Sequence, residues 1–496
     1  MADRPALHVP VNPVRFVTAA SLFDGHDAAI NIMRRLLQSQ GAEVVHLGHD
    51  RSVQEVVTAV LQEDAQGVAI SSYQGGHVEY FGYLAKELAA RGAGHVKIYG
   101  GGGGVIVADE IRELHDYGVA RIYSPEDGQK LGLQGMINEV VAMCDVDLAK
   151  DAPGDGAAAI AALNSSDRFT RVRTLARTIS ALEAGHAGAN LRQAIAAAAA
   201  KSKAPVLGIT GTGGAGKSSL TDELLQRFVR SFPDRRIAVI AMDPTRRRSG
   251  GALLGDRIRM NALAAPNVFM RSLATRREHM ATSAVLREVI GLCGAAGFEL
   301  VLVETAGIGQ SDSEIADLAD IPVYVMTSEY GAASQLEKID MLDYAELVVL
   351  NKFEKRGAED ALRDVRKQWR RNHPADLRRG DEELPVFPTI ASRFNDPGVN
   401  RLYAALLERL DAKVTGGASW TVADGRPVDP GPTTFHGHDP LIPSQRTRYL
   451  AEIAEICKRN NVMVLTDEIF TWRGNRHYVR LDPTDGPAHI LVGVSP

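Results

Sequence analysis

The segment GTGGAGKS at residues 211–218 has the glycine spacing and the Lys-Ser ending of a loop that binds nucleotide phosphates. An apolar strand is predicted before it at 206–210, and a helix is predicted after it from residue 219. Glycines let backbone N–H groups turn towards phosphate oxygens, and the helix N-terminus favours their negative charge. The lysine is expected to reach the β- and γ-phosphates, and the serine to bind Mg²⁺. Nucleotide contacts are therefore predicted from Gly213, Gly214, Ala215, Gly216, Lys217 and Ser218.

Two acidic residues follow predicted strands downstream of this loop. Asp243 comes shortly after the apolar run 237–240, and Glu304 comes directly after 300–303. Acids at the carboxyl ends of strands in an open α/β sheet face the ligand crevice, where they can hold Mg²⁺. Taken alone, either residue is equally compatible with an ordinary solvated carboxylate. Together they predict a magnesium site, and with Lys217 they form the predicted catalytic set.

The sequence NKFE follows a further apolar run at 347–350. GTPases commonly have Asn-Lys-x-Asp here, because the Asp carboxylate accepts two hydrogen bonds from guanine that adenine cannot supply. Glu354 offers the same two acceptors on a side chain one methylene longer. Hydrogen bonds to charged groups contribute about 1.5–3 kcal/mol each, so we expect guanine preference to survive and base affinity to be the property at risk. A plain turn after a strand is the alternative; otherwise the base is bound by Asn351, Lys352, Phe353 and Glu354.

A basic, glycine-rich segment at residues 246–260 lies between these motifs. Such a segment can act as a mobile switch that becomes ordered around the γ-phosphate and Mg²⁺. Its composition is equally compatible with a solvated basic loop. The residues alone leave both interpretations open.

Several spaced motifs give this region a family resemblance: AMDP at 241–244, GDRIRM at 255–260, ETAGIGQSDSE at 304–314 and NKFE at 351–354. With the phosphate loop, they resemble the G-protein chaperones of methylmalonyl-CoA mutase over roughly residues 203–413. These chaperones share their GTPase class with the metal-insertion chaperones of hydrogenase and urease. The resemblance implies that Arg259 approaches the nucleotide. It also implies that Mg²⁺ is surrounded by Ser218, Asp243, Asp256, Glu304 and Thr305.

Near the N-terminus, Asp24 and His26 form an Asp-x-His after the first predicted strand. A histidine at this edge of a parallel sheet can bind a metal through one ring nitrogen while a carboxylate holds the other. The tripeptide alone is a weak signal, because a loop histidine is more often solvated. Two further strand ends carry small residues, ISSYQGG with Ser71 and YGGGGG with Gly100 and Gly101. They leave an open slot on the same side of the sheet that an elongated ligand could enter.

These residues resemble the cobalamin-binding domain of coenzyme-dependent mutases, over about residues 13–143. The resemblance implies that His26 is the lower axial ligand of cobalt and that the small residues line a channel for the dimethylbenzimidazole tail. The chain departs from the family pattern at Ala29, where Gly is usual, and at Tyr73, where Leu is usual; the second change bears on how the tail packs. Cofactor contacts are expected from His26, Asp24, Ser71, Gly100 and Gly101.

Alternating strand and helix signals position both sets of motifs. In the first part, strands are predicted at 14–19, 43–47, 67–71, 96–99 and 120–122, with helices at 28–40, 53–63, 77–91 and 107–117. A linker is predicted at 151–164, followed by helices at 171–183 and 191–200. The repetition predicts an α/β protein with two doubly wound parallel sheets, a flavodoxin-like cobalamin-binding domain and a P-loop GTPase domain, joined by a helical linker.

The expected division of the chain is 1–145, 146–202, 203–414 and 415–496, for the cobalamin domain, the helical linker, the GTPase domain and a C-terminal part. In the C-terminal part, an amphipathic helix is predicted at 445–459. Residues 460–496 show no pattern that indicates a function.

Composition and charge argue against several classes of protein. The chain has 56 Lys and Arg against 61 Asp and Glu, a net charge of −5 that does not favour nucleic acid or an anionic membrane as a partner. Its three cysteines lie far apart, which fits a reducing compartment. No apolar run reaches the roughly 18 residues of a membrane helix. Residues 1–13 lack a signal-peptide core. We therefore expect a cytoplasmic protein.

A cobalamin domain followed by a chaperone-type GTPase on one chain resembles the fused isobutyryl-CoA mutases. That family adds a TIM barrel that binds the acyl-CoA, and a barrel needs about 200–250 residues. Fewer remain after residue 414, so we expect either a truncated form or a partner chain that supplies the barrel. The resemblance implies adenosylcobalamin, GTP and Mg²⁺ as cofactors and a GTPase that gates cofactor loading. We also expect a homodimer.

Three functions stay open on this evidence. The chain is a GTPase-linked cobalamin enzyme or half of one, a stand-alone cobalamin chaperone, or a cobalamin-dependent sensor. An output module for DNA or membranes would favour the sensor, and the sequence shows no sign of one. A separate barrel chain would favour the enzyme.

Overall fold

The computed structural model describes residues 7–246, 248–275, 279–305, 307, 314–330, 336–413 and 419–421, together with the short strands 470–472, 475–478 and 493–494. The chain divides into two compact units, Met1–Thr433 and Thr434–Pro496. Both of the predicted sheets lie in the first unit.

The first sheet contains six parallel strands: β1 Arg15–Ser21, β2 Glu43–Arg51, β3 Gly67–Ser71, β4 Lys97–Gly101, β5 Arg121–Tyr123 and β8 Ala252–Leu254. Their order in the sheet is β5-β4-β3-β1-β2-β8. The helices are α1 Ala28–Ser39, α2 Val53–Glu63, α3 His77–Ala90, α4 Ala108–Asp116 and α5 Pro125–Cys144. Neighbouring β1 residues face opposite cores, Phe16 towards α1 and α5 and Val17 towards α2, α3 and α4. Burial on both faces explains the uninterrupted apolar run of this strand.

Three helices connect the first sheet to the second: α6 Gly156–Leu163, α7 Arg168–Ala184 and α8 Ala189–Ala199. Helix α6 occupies the second half of the linker predicted at 151–164, where no individual helix was predicted. Asp155 caps α6 by accepting a hydrogen bond from the backbone N–H of Ala157, and the alanine-rich sequence that follows has the highest helix propensity. The sequence also gave no sign of α5, because its glycines weaken the pattern and the backbone is non-helical at Gly132.

The second sheet contains seven parallel strands: β6 Val206–Gly211, β7 Ile237–Pro244, β9 Val268–Thr275, β10 Leu300–Glu304, β11 Ile321–Thr327, β12 Leu347–Asn351 and β13 Val386–Pro388. Their order is β13-β12-β11-β6-β10-β7-β9, which places the strand before the phosphate loop in the middle. The helices are α9 Lys217–Ser231, α10 His279–Ala295, α11 Met341–Tyr344, α12 Ala358–Asn372 and α13 Pro397–Lys413. The two doubly wound parallel sheets confirm the predicted fold class.

Short 3₁₀ helices complete the first unit, at Leu148–Asp151, Asp256–Arg259, Asn261–Ala264, Glu314–Asp317, Ser328–Tyr330 and Pro374–Asp376. Two of them follow β8 in succession and lead from the first sheet back to the second. They matter below because the first contains Asp256.

One strand of the first sheet comes from the nucleotide-binding part of the chain. β8 pairs in parallel with β2, with Ala252 opposite Glu43. Just before it, a Cβ atom at Gly251 would overlap the carbonyl oxygen of Gln38, so only glycine allows this approach. The segment 246–260 is thus neither wholly a switch nor wholly a solvated loop, because three apolar residues within it pair with the free edge of β2.

In the second unit, the strands β14 Phe470–Trp472, β15 Asn475–Tyr478 and β16 Gly493–Val494 form an antiparallel sheet. The sequence predicted no strand there. The helix predicted at 445–459 lies outside the described residues.

Candidate functional site

The phosphate loop joins the end of β6 to the start of α9, and glycine is required at both of its ends. Gly211 has φ 143°, and a Cβ atom there would overlap the carbonyl oxygen of Val325 on the neighbouring strand. Gly216 has φ 92°, and a Cβ atom there would lie 2.6 Å from Asn351 Nδ2. The loop is therefore held tightly against β11 and β12, with its backbone free of side chains.

Lys217 is buried at the start of α9. Its Nζ donates hydrogen bonds to the carbonyl oxygens of Gly211 at 3.0 Å and Thr212 at 3.3 Å. Gly307 lies over this ammonium group, with φ 68°, and a Cβ atom there would overlap Nζ. The lysine charge therefore lies inside the loop, at a helix N-terminus, where it suits phosphate oxygens.

A buried acidic cluster surrounds the hydroxyl of Ser218. Ser218 Oγ lies 2.9 Å from Asp256 Oδ1 and 2.7 Å from Glu304 Oε1. Thr221 Oγ1 donates to the second oxygen of Glu304 at 2.8 Å. The single hydroxyl hydrogen of Ser218 cannot be donated to both Asp256 and Glu304. The cluster of these three side chains therefore lacks a positive charge to balance its carboxylates. This arrangement favours a cation between the three oxygen-bearing side chains.

Asp243 adds a further carboxylate to this region. Burial raises the pKa of its carboxyl group, and the nearby charges of Asp256 and Glu304 raise it further. Its Oδ2 atom is buried and has no hydrogen-bond partner in the part of the chain that the structure describes. Burial and Asp256 likewise raise the pKa of Glu304. An unpaired buried oxygen among acids that resist ionisation is the chemistry that a divalent cation relieves.

The oxygen ligands fit Mg²⁺ if the nucleotide completes the site. In the part of the chain that the structure describes, no group of three or more His, Cys, Asp or Glu side chains could hold a metal ion by itself. Mg²⁺ usually takes one or two carboxylates, keeps several waters and shares phosphate oxygens. The hydroxyl of Ser218 and the nearby carboxylates supply the protein oxygen ligands of such a Mg²⁺ site.

Thr305 and Arg259 differ in their surroundings from the other residues that are predicted to bind the metal or the nucleotide. Thr305 is buried, and its Oγ1 lies 2.8 Å from Thr210 Oγ1. Arg259 is exposed, and within the described residues no hydrogen bond or ion pair of its side chain is seen. The structure therefore brings together Ser218, Asp256 and Glu304 with Asp243 close by, whereas the approach of Arg259 to a nucleotide stays a prediction.

The base-recognition segment packs against the phosphate loop. Asn351 Nδ2 donates to the carbonyl oxygen of Ala215 at 2.8 Å, and Lys352 Nζ donates to that of Gly214 at 2.7 Å. Phe353 is buried, whereas Glu354 is exposed and its carboxylate faces solvent. Asn351 and Lys352 thus stabilise the loop, and Glu354 is accessible to a ligand.

Sequence reasoning missed two residues of α9 that support this site. Thr221 lies one turn after Ser218, a spacing that places both side chains on one face of a helix. Asp222 accepts hydrogen bonds at 3.0 Å from the backbone N–H of Ala262 and from Asn261 Nδ2. It thereby fixes the 3₁₀ helix that follows Asp256.

The Asp-x-His motif lies at the carboxyl edge of the first sheet. Asp24 is 1% exposed, and its Oδ1 lies 2.8 Å from His26 Nδ1. Burial opposes ionisation of Asp24, but hydrogen bonds from the backbone N–H groups of Tyr73 and His26 hold its pKa below the ordinary value. The His26 side chain is 77% exposed. Its Nε2 is therefore presented to solvent while Nδ1 is fixed, as in a metal-binding histidine.

A cavity of about 320 Å³ is lined by Ile30, Met33, Tyr99, Ser71, glycines 100 to 103 and Tyr73, whose ring centroid lies 5.7 Å from that of His26. Ser71 Oγ is buried and has no hydrogen-bond partner among the described residues. A Cβ atom at Gly100 would lie 2.5 Å from Phe81, so this glycine keeps the strand end small. An apolar cavity with one unpaired hydroxyl suits an aromatic group that carries a hydrogen-bonding atom.

The central strand, the phosphate loop and the acids at neighbouring strand ends define a P-loop nucleotide-binding protein with a second doubly wound domain. Residues 175–423 match the family described as methylmalonyl Co-A mutase-associated GTPase MeaB. Residues 14–125 match the B12 binding domain. The first match covers half of the chain, and the chain belongs to this GTPase family.

Curated relatives align with nearly all of the chain. It is 52% identical to the fused isobutyryl-CoA mutase of Geobacillus kaustophilus, 57% identical to that of Cupriavidus metallidurans and 56% identical to that of Nocardia farcinica. The alignments cover 90%, 90% and 92% of this chain but 40%, 40% and 41% of the relatives. The chain thus spans about two fifths of the length of the curated relatives it matches. The two family matches show a cobalamin-binding domain followed by a GTPase domain on one chain, as the sequence predicted.

Among the described residues, no helix is both long enough and apolar enough to cross a bilayer.

Proposed function

We propose that this chain binds adenosylcobalamin and hydrolyses GTP with Mg²⁺, as the cofactor-handling half of an acyl-CoA mutase of the isobutyryl-CoA type. The observation that carries the proposal is His26, which is 77% exposed and has its Nδ1 tied to a buried carboxylate. An exposed histidine held in this way can bind the metal of a cofactor that enters from solvent. The neighbouring cavity can hold the tail of a large cofactor. Names of relatives support the acyl-CoA class.

The cobalamin-binding residues have distinct roles in this proposal. His26 would hold the cobalt, and Asp24 fixes the tautomer and direction of its imidazole ring. Ser71, Gly100 and Gly101 would hold the tail of the cofactor in the cavity that they line. When bound, adenosylcobalamin supplies radical chemistry, which the protein only orients and shields.

The nucleotide site works mainly by charge and position. Lys217 would neutralise the β- and γ-phosphates of the nucleotide. Ser218, Asp256, Glu304 and Asp243 would hold Mg²⁺ or its waters, which would compensate the mutual repulsion of these acids. The protein thereby stabilises charge on the leaving phosphate, which is the main task in phosphoryl transfer.

Hydrolysis of GTP would gate cofactor loading or protection. For this to occur, the GTP-bound and GDP-bound states must differ in their affinity for the loaded cobalamin domain. The substrate barrel is proposed to lie on a further part of the polypeptide or on a partner chain, and the assembly to be a homodimer in the cytoplasm. The widely spaced cysteines support the cytoplasmic location, and the partial coverage of the relatives supports a barrel elsewhere.

Reconstitution with adenosylcobalamin tests the proposal at His26. After photolysis to the cobalt(II) form, the unmodified chain should show a base-off, His-on absorption spectrum and nitrogen coupling from imidazole in electron paramagnetic resonance. His26→Ala should remove the coupling, whereas His49→Ala should keep it, since His49 is an exposed histidine at the same sheet edge. An unchanged spectrum in His26→Ala would overturn the assignment.

A further inference from the structure

Helix α2 of the first domain contacts the nucleotide site at Arg257. This residue directly follows Asp256, which accepts the Ser218 hydroxyl at 2.9 Å. Arg257 is 6% exposed, and its Nη1 donates to Gln62 Oε1 at 3.0 Å, with Nη2 on the same oxygen. Its Nε lies 3.8 Å from Glu63 Oε1. Both partners are the last two residues of α2 in the first domain.

The side chain of Gln62 is directed entirely towards the second domain. Its Oε1 also accepts from the backbone N–H of Met270 at 3.3 Å, and its Nε2 donates to the carbonyl oxygen of Val268 at 3.0 Å. All of its recorded hydrogen bonds within the described residues therefore join α2 to β9 and Arg257. A buried amide that satisfies backbone groups of another domain holds that domain at a fixed position.

Glu63 reinforces this contact. It is fully buried and accepts hydrogen bonds from the backbone N–H of Ser272 at 3.1 Å and from its hydroxyl at 3.2 Å. Arg15 of β1 lies 3.4 Å away. The carboxylate thus lies between Arg15 of one domain and Arg257 of the other, where removal of either charge would leave a buried ion without its partner.

The opposite end of α2 follows β2, whose end is hydrogen-bonded to the loop that contains Asp24 and His26. The helix begins with a capping box between Ser52 and Glu55, directly after β2. Near the end of β2, Asp50 Oδ1 accepts from the backbone N–H of Phe23 at 2.7 Å, and its own N–H donates to the Asp24 carbonyl oxygen at 3.2 Å. A helix of 11 residues is about 16 Å long. It therefore spans from the loop that carries the cobalt ligand to the residue next to Asp256.

We propose that Gln62 and Glu63 are positioning residues of the nucleotide site, which hold Arg257 so that Asp256 stays against Ser218. The cobalamin domain thus completes the Mg²⁺ site of the GTPase. If bound cobalamin shifts α2, its effect on Mg²⁺–nucleotide affinity equals the effect of Mg²⁺–nucleotide on cobalamin affinity, because such coupling is reciprocal. The inference rests on the proposed binding of Mg²⁺ and GTP.

The test compares two buried glutamines of the same domain. Gln62→Leu removes the hold on Arg257 and leaves Met270 N–H and Val268 C=O without their partner. Gln66→Leu is the matched control, since Gln66 likewise satisfies backbone groups, namely the N–H of Arg15 and the carbonyl oxygens of Pro13 and Val146. Affinity for mant-GDP is measured on the full chain by fluorescence, in EDTA and in Mg²⁺, with and without bound adenosylcobalamin.

Gln62→Leu should bind mant-GDP normally in EDTA and lose about 5- to 150-fold of the tightening caused by Mg²⁺. Gln66→Leu should keep it, and the effect of adenosylcobalamin on mant-GDP affinity should vanish only in Gln62→Leu. Retention of the full Mg²⁺ effect in Gln62→Leu, or its equal loss in Gln66→Leu, overturns the inference. Absence of any Mg²⁺ effect in the unmodified chain overturns the proposed function itself, and the inference with it.

Hydrogen exchange on the unmodified chain provides a second test that needs no variant. Addition of Mg²⁺ and GDP should slow amide exchange at 252–260 and also in the last turn of α2, residues 59–63. Protection confined to the second domain would overturn the inference.

Discussion

The carboxylate of Asp24 joins His26 to Tyr73. Its Oδ1 lies 2.8 Å from His26 Nδ1, and its Oδ2 accepts the backbone N–H of Tyr73 at 2.6 Å. Because Asp24 follows β1 and Tyr73 follows β3, one carboxylate ties together two neighbouring strand ends. The direction of the imidazole is thus set by the sheet, and the carboxylate can be altered without removing the proposed metal ligand.

Asp24→Asn should weaken cobalamin binding about 10- to 100-fold, the usual effect of losing the carboxylate behind a metal-binding histidine. An amide cannot accept hydrogen bonds at both of its ends, so the ring loses its fixed tautomer or the Tyr73 contact is lost. Titration of the apoprotein with adenosylcobalamin, followed by absorption, measures the affinity. Asp27→Asn is the control, because among the described residues the Asp27 side chain accepts a hydrogen bond only from the side chain of Asn31. Unchanged affinity in Asp24→Asn would refute the role given to this carboxylate.

Gly251→Ala should destabilise the joint between the two domains. The added methyl group would overlap the carbonyl oxygen of Gln38 and lie 2.8 Å from that of Ala42. Overpacking of this kind typically costs about 1–3 kcal/mol, which should lower the midpoint of urea denaturation. Gly255→Ala should have little effect, since its nearest neighbour is Leu253 at 3.6 Å. If both variants denature together, β8 contributes nothing special to the joint.

The sequence was sufficient to predict both parallel sheets because their strands are apolar on both faces and their loops carry glycine motifs. It could not predict β8, because these three apolar residues form a strand by pairing with the free edge of β2, which is far away in the chain. Helix α5 was missed for a local reason, because glycines such as Gly132 interrupt its pattern.

The candidate sites divide in the same way. Asp24, His26, Ser218 and Glu304 stand at strand ends or in short motifs, so their types and spacing indicate chemistry directly. Gln62 lies inside a helix with no motif around it, and its importance depends on which domain packs there. No pattern within a single segment can show such a contact.

Glu354→Ala should lose guanine selectivity while phosphate binding persists. The carboxylate is proposed to accept two hydrogen bonds from the base, each worth about 1.5–3 kcal/mol, so the preference for GTP over ATP should fall at least about tenfold. Lys217→Ala should instead remove most affinity for either nucleotide. Steady-state hydrolysis and nucleotide titrations distinguish the two effects, with Glu359→Ala as a control on an exposed neighbour. Equal turnover of GTP and ATP by the unmodified chain would contradict base recognition by this segment.

His46 should make the first domain less stable in mild acid. Burial lowers the pKa of this histidine from 6.5 to about 4, and the positive charges of Arg34 and Arg51 lower it further. The charge of Asp27 and a hydrogen bond with Thr18 raise the pKa and offset part of this decrease. Because the folded pKa is depressed, the neutral form stabilises the fold: this stability is complete above about pH 6.5 and is lost as the pH falls towards 4. Urea denaturation at pH 7.5 and pH 5 should therefore show a smaller decline for His46→Asn than for the unmodified chain. An equal decline in both would assign the acid sensitivity to other groups.

The chain alone should not convert isobutyryl-CoA into butyryl-CoA. It spans 40% of the mutase from Geobacillus kaustophilus, and its two described domains are assigned to the cofactor and the nucleotide rather than to an acyl-CoA. Purified protein is incubated with adenosylcobalamin, GTP, Mg²⁺ and isobutyryl-CoA, and the two acyl-CoA isomers are separated by chromatography. Turnover without any other protein would show that an acyl-CoA site exists in the chain after all. Turnover only after addition of a mutase barrel would support the half-enzyme. If the loaded chain transfers cobalamin to an acceptor protein and the mixture still fails to isomerise, the stand-alone chaperone becomes the better description, because the cofactor then leaves His26 instead of working there.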